Sequence, residues 1–200
     1  MRADPLLETS RLTLRLANPH EVQHIIDYYT RNSAHLRAWE PERPQGFLTA
    51  PYWSERVALY ADQSFAGTAY RFFLFPKSLE TAREVGGILG SVSLTQVERG
   101  PFQCGRLGFS IDQACEGHGL MREAVAAVAD YALGELGLHR LEANHQPQNL
   151  RSAALLRRLG FDVQGYARDY LFLNGAWRDH VLTARTSNHV GFAEARGSGV

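Results

Sequence analysis

The chain has a single lysine, Lys77, only two cysteines, Cys104 and Cys115, and no surplus of either charge, with 21 Lys plus Arg against 21 Asp plus Glu. Two cysteines exclude a disulfide framework and a Cys-rich zinc site, and they fit a pair of reduced thiols. His139 and His145 share a strand-like run with no Cys or acidic partner at ligand spacing, so no metal is expected. Balanced charge removes the global basic field that drives nonspecific binding to nucleic acid or membrane, and recognition of an anion must therefore be local. Apart from Lys77 the basic residues are all Arg, whose planar fork suits phosphate. No apolar run approaches the ~18 residues of a membrane span, and the opening MRADPLLETS lacks the apolar core of a signal peptide. The expectation is a cytoplasmic protein without membrane contact.

What is present is ordinary globular composition, 44% hydrophobic and 21% charged over 200 residues, enough for one domain with its own core. RLTLRL (11–16) places Leu12, Leu14 and Leu16 on one face of a strand, and a helical pattern follows from His20 to Arg31. The stretch 32–51, broken by Pro41, Pro44, Gly46 and Pro51, reads as a long loop. A helix is expected over 53–63, and paired strands over 70–75 and 85–97. Residues 106–112 alternate as a strand, Leu120 to Leu136 repeat every four residues as an Ala-rich helix, and 140–146 form a strand with Glu142, Asn144 and Gln146 on one face. Asn149 can cap a helix that Gly160 ends, and two strands joined by Asn174-Gly175 make a hairpin. The order is that of an α/β (α+β) domain with a mixed sheet, covering residues 1–187, followed by a flexible tail over 188–200.

CEGHGLMREA (115–124) lies where strand gives way to helix. A helix start leaves N–H groups unpaired and carries partial positive charge, so Gly117-His118-Gly119 suits an anion such as pyrophosphate, which bare backbone can approach. The same glycines also serve a tight turn with nothing bound. A P-loop is excluded by the lack of Gly-Lys-Ser/Thr. A dinucleotide fingerprint would need glycine where Arg122 stands, although Glu142 falls near the place of its ribose-binding acid.

EGHGLM resembles the acetyl-coenzyme A signature Gln/Arg-x-x-Gly-x-Gly/Ala of the GNAT N-acetyltransferases, with Gly119 as its central glycine, and NLRSAALLRRLGFD (149–162) resembles the family's second motif. The segments LRAWEP, VERGPF, EGHGLMREA, HRLEANHQPQNLRSAALLRRLGF and GYARDYLFLNGAWRDHVLTA are similar, in order and spacing, to the ribosomal-protein-alanine N-acetyltransferase branch with its RimJ-type members. The likeness spans roughly residues 8 to 187. Two positions depart from the signature: Glu116 replaces Gln or Arg, and Met121 replaces Gly or Ala. An acid at 116 has to point away from a pyrophosphate.

The resemblance implies a mostly antiparallel sheet of about seven strands, flanked by about four helices and splayed between 106–112 and 140–146 to admit the pantetheine arm. The main chain of Phe109, Ser110 and Ile111 would hold the arm, and N–H groups of Gly117, His118, Gly119, Leu120, Met121 and Arg122 the pyrophosphate. Asn149 would bond the pantetheine amides; it equally suits a helix cap. An α-amine with pKa near about 8 needs only modest deprotonation help before it attacks a thioester. Glu142 is the carboxylate named as base, with a solvated strand acid as the alternative. An N–H near Ile111 would stabilise the oxyanion. Ser152 would return a proton to the thiolate, although Ser in a first turn is often a local cap. Arg151, Arg157 and Arg158 are placed to reach adenosine phosphates or simply to face solvent.

Trp39, Glu40, Tyr170 and Trp177 are candidates for the acceptor wall, with Glu40 pairing a protonated amine and core packing as the other reading of the two tryptophans. The branch likeness implies a ribosomal protein N-terminus as acceptor, with acetyl-CoA as cosubstrate; a monomer or weak dimer without direct nucleic-acid binding is expected. A small amine as acceptor, or a non-catalytic module binding coenzyme A or the ribosome, stand as alternatives.

Overall fold

The computed structural model describes residues 4–78, 80 and 86–187 of the chain. The tail expected over 188–200 and the start of the strand expected from 85 lie outside the described residues. Eight strands form one sheet: β1 (Leu7–Glu8), β2 (Leu12–Arg15), β3 (Tyr70–Pro76), β4 (Gly90–Glu98), β5 (Cys104–Ile111), β6 (Arg140–Glu142), β7 (Asp162–Leu173) and β8 (Ala176–Thr186). Their spatial order is β1-β2-β3-β4-β5-β6-β8-β7. Every pairing is antiparallel except β5 with β6. The eighth strand, beyond the seven expected, is β1, a two-residue segment folded back on β2 through a turn closed by Thr9.

The described helices are α1 (Val22–Arg31), α2 (Ser33–Leu36), α3 (Ala50–Ala66), α4 (Leu120–Asp130) and α5 (Leu150–Arg158). α3 carries Pro51 in its first turn, where its fixed φ is suited and no N–H is needed, and is closed by Gly67 in the left-handed conformation. It is longer at both ends than the 53–63 expected. α2 is a single turn inside the Pro-broken stretch 32–51, which sequence pattern assigned wholly to loop. α4 gives way at Tyr131–Glu135 to a π-helical turn, so the continuous helix expected to Leu136 is interrupted.

Two cores sandwich the sheet. On one face α4 buries Met121, Ala124, Val125, Val128 and Ala129 against Leu94, Leu107, Phe72 and Leu141. Alanine at alternate turns lets the helix approach closely, and each fully buried valine contributes about 1.5–3 kcal/mol. On the other face α1 and α3 close over Ile25, Tyr28, Trp53 and Phe73. These two helices cover the β2–β4 half and leave Gly108, in the middle of β5, exposed.

The β5–β6 pairing ends early. Cys104, Gly105 and Arg106 pair with Arg140, Leu141 and Glu142, and no ladder follows. Beyond Glu142 the chain bends toward β8, where His145 bridges Val181, so the strand expected over 140–146 holds only to 142. Leu107–Ile111 consequently lack a partner strand on that side, and the sheet is split at its centre.

Candidate active site

The split opens into a cleft of about 1610 Å³ whose walls come from β5, the turn before α4, the start of α5, the 36–47 stretch and the β7–β8 hairpin. It gathers Phe109, Ser110, Ile111, every residue from Gly117 to Arg122, Glu142, Asn149, Ser152, Trp39, Glu40 and Tyr170. Trp177 is not among the lining residues. It stands 60% exposed near the hairpin tip, its ring against Phe172 across the strand pair at 5.7 Å.

At the mouth, Gly117 and Gly119 have φ of +78° and +76°. That left-handed backbone is the reason for glycine at both positions, because a Cβ on Gly117 would meet nothing within 4 Å and one on Gly119 only Arg11 at 3.7 Å. Gly119 is the N-cap of α4 and offers no side chain, and the first bond of the helix comes from the Glu123 N–H. The N–H groups of Leu120, Met121 and Arg122 are therefore uncapped, at the positive end of an 11-residue helix dipole.

This turn is braced by residues that sequence reading missed. Glu123 accepts from Ser10, from the Arg11 N–H and from the Arg11 guanidinium, while Arg11 Nη1 donates to the His118 carbonyl at 3.0 Å. Burial opposes ionisation of Glu123, but hydrogen bonds from Thr9, Arg11 and Ser10 outweigh it and hold its pKa down at about 2. The pair lies 112 residues apart in the chain, beyond any local pattern.

Glu116 does point away from the anion site. Its carboxylate is held by Arg151 of α5 and, at 3.4 Å, by His35 of α2. The acid thus ties three segments together beside the mouth. Arg151 and Arg158 both line the cleft, and Arg151 is occupied by this pair.

Asn149 is the cap of α5 and lines the cleft with its amide donor to spare. Its Oδ1 accepts from the Ser152 N–H at 3.0 Å as the cap of α5, and its Nδ2 has no partner among the described residues. The Ser152 hydroxyl likewise has no partner among the described residues, and Ser152 lines the cleft. Across the split, Glu142 accepts from Arg140 at 3.0 Å and pairs with Arg106 at 3.4 Å. Asn144 donates to the Tyr170 hydroxyl at 3.2 Å and receives the Thr183 N–H, fixing that ring on the wall.

At the far end, burial pushes the Glu40 carboxyl up, partly offset by Arg43 at 3.2 Å. Tyr28 donates to Ser110 Oγ at 3.0 Å, and Ser91 Oγ lies 3.3 Å from the same oxygen, so side chains of α1 and β4 set the orientation of Ser110. The end of β5 is fixed by Asp112. Burial opposes its ionisation, but bonds from Asn32, Arg31 and the Ala114 N–H lower its pKa. Asn32 in turn accepts the Gln113 N–H at 2.9 Å.

The description of an acetyltransferase (GNAT) domain matches residues 11–162. The chain belongs to the GNAT acetyltransferase family. It is 40% identical over 182 residues to the [ribosomal protein uS5]-alanine N-acetyltransferase of Escherichia coli (strain K12), covering 90% of each chain. It superposes with a TM-score of 0.85, at 34% identity, on the ribosomal-protein-S5-alanine acetyltransferase of Vibrio fischeri, over 92% of this chain and 98% of that one. A RimJ of Mycobacterium smegmatis in complex with CoA-disulfide shares the fold at 23% identity, TM-score 0.78 and 92% and 87% coverage.

Acetyl-CoA is the cosubstrate of this GNAT family, and the cleft's own features fit it: uncapped N–H groups for the pyrophosphate and an unpaired strand edge continuing inward for a pantetheine arm. The Cys104 thiol is pushed up to about 11, by burial first and by Glu142 second, which disfavours the thiolate. Among the described residues no group of His, Cys, Asp and Glu is placed to hold a metal, and no helix is long and apolar enough to cross a membrane.

Proposed function

We propose that this chain acetylates the α-amine of a protein N-terminus, alanine first, on a small-subunit ribosomal protein in the cytoplasm, as a monomer or weak dimer and without contacting nucleic acid. The observation that carries this reading is the 40% identity with the uS5-alanine enzyme across 90% of both chains. A cleft floored by an exposed Gly108 and open at its acceptor end supports it, since an extended chain terminus needs such a path.

The bound cosubstrate supplies a thioester carbonyl; the protein supplies position and protons. Backbone from Gly117 to Arg122 and the Asn149 amide hold the donor, and the free strand edge at Phe109–Ile111 aligns it. Glu40 receives the incoming ammonium. Its loss of a proton falls to Glu142, directly or through water, and an α-amine near about 8 requires little help. Ser152 protonates the departing sulfur. Tyr170 and Trp39 form the acceptor wall; Trp177, at the hairpin tip, would meet the acceptor only outside the cleft.

The test is release of free thiol from acetyl-CoA with peptides beginning in Ala, the same peptides blocked at the α-amine but carrying Lys, and a panel of small amines. Turnover confined to the free Ala α-amine is the expected result. Turnover only with small amines, or coenzyme binding without turnover, overturns it.

A further inference from the structure

The cleft contains a cation with no counter-charge. Arg71 of β3 lines it, yet its guanidinium forms no ion pair with any described residue and its Nε is shut from water without a hydrogen-bond partner. Its guanidinium lies instead over the Tyr60 ring, whose centroid is 4.8 Å from Cζ. Three other arginines of the cleft are spoken for: Arg43 holds Glu40, Arg106 holds Glu142 and Arg151 holds Glu116. A half-buried guanidinium among aromatic rings is costly unless something anionic completes it.

Register places Arg71 relative to the floor of the cleft. Arg71 sits opposite Ser93, which sits opposite Gly108; Phe73 sits opposite Ser91, which sits opposite Ser110. These two rows share one face of the sheet, with Arg71 a single two-residue step, roughly 7 Å, from the Ser91–Ser110 row. Between them the floor is serine and glycine, leaving a trough along which an extended chain can lie. The carboxylate of Glu40 lies at the Tyr28–Ser110 end, close enough to influence both Tyr28 and Tyr29. The trough therefore offers negative charge where an α-amine would arrive and positive charge a few residues further along.

We propose that Arg71 is a specificity residue for the acceptor, receiving an acidic side chain at the second, third or fourth residue of the peptide that is acetylated. This rests on the reading of the chain as a protein N-terminal acetyltransferase and adds a substrate class to it: N-termini that begin with alanine and carry an early Asp or Glu. The recognition is a charge-assisted, bidentate pairing of guanidinium with carboxylate.

The experiment compares kcat/KM for Ala-initiated peptides that carry Glu or Gln at position 2, 3 or 4, using the wild-type chain, Arg71→Met and Arg71→Lys. In the wild type at least one position gives a Glu-to-Gln ratio of tenfold or more. Arg71→Met brings that ratio close to one, and Arg71→Lys retains part of it. Circular dichroism melting and coenzyme affinity check that each variant is folded. A wild-type ratio near one at all three positions, or a ratio that survives in Arg71→Met, overturns the proposal while leaving N-terminal acetylation standing. No turnover with any Ala peptide overturns both readings.

Discussion

Glu123, in the first turn of α4, grips Arg11 twice, accepting from its backbone N–H at 2.9 Å and its Nε at 2.8 Å, and so anchors the start of β2 to the glycine turn. Arg11 completes the brace by donating to the His118 carbonyl. A carboxylate in this place also complements the positive end of the helix. The turn that receives the cosubstrate is therefore held from outside the cleft, by groups that need not touch the ligand.

Acid should loosen this brace. The folded pKa of Glu123 is about 2 against an ordinary value of 4.5, so its contribution to stability is fully present above about pH 4.5 and is lost as pH falls toward 2. Denaturant unfolding followed between pH 6 and pH 2 should show the wild type losing stability faster than Glu123→Gln across that window. Parallel curves for the two proteins would remove Glu123 from the account.

Gly119→Val tests the phosphate cradle. The position has φ +76°, which an L-residue adopts at a cost of about 1–2 kcal/mol, more for a β-branched one. A drop of several degrees in Tm with the fold retained, together with loss of coenzyme A binding by calorimetry, is expected. Unchanged affinity would show that the N–H groups at this turn do not hold the ligand.

How much of this was legible beforehand follows the range of the interactions. The Leu12-Leu14-Leu16 alternation, the Asn149 cap and the Asn174-Gly175 turn are local devices, and each gave its element; Asn174 and Gly175 both take positive φ as a two-residue hairpin requires. The glycine turn was legible because motif and local strain coincide. What escaped depends on distant partners. α2 forms where Asn32 spends its side chain on the Tyr28 carbonyl one turn back and on Asp112 and the Gln113 N–H, 80 and 81 residues away, contacts that no spacing announces. The early end of β6 reflects capture of His145 by Val181 on β8. Trp177 carries aromatic bulk that sequence reading directed into the cleft, but its register beside the hairpin tip, opposite Phe172, keeps it on the outside.

Asn149 allows its two roles to be separated. Asn149→Asp keeps an oxygen for the Ser152 N–H and loses the Nδ2 donor, whereas Asn149→Ala loses both. The aspartate variant should retain stability and bind coenzyme A more weakly, while the alanine variant should also lose about 1 kcal/mol of stability. Equal coenzyme affinity in wild type and Asn149→Asp would leave Asn149 as a cap alone.

Ser152 is the proton donor most open to a direct test, because its backbone and side chain have different employment. The N–H serves the Asn149 cap and survives any side-chain change, so Ser152→Ala leaves the start of α5 intact. The hydroxyl has no partner among the described residues and Ser152 lines the cleft, so its removal orphans none of their buried groups and acts on chemistry rather than folding. If it protonates the leaving sulfur, Ser152→Ala lowers kcat by roughly 10²-fold or more, in the range of general acid catalysis, with coenzyme affinity changed little. The effect should shrink with an acyl donor whose thiol has a lower pKa, because a better leaving group needs less help. Losses of the same size in kcat and in affinity, or no loss in either, would transfer the proton to another group on the wall, with the Tyr170 hydroxyl the next to examine.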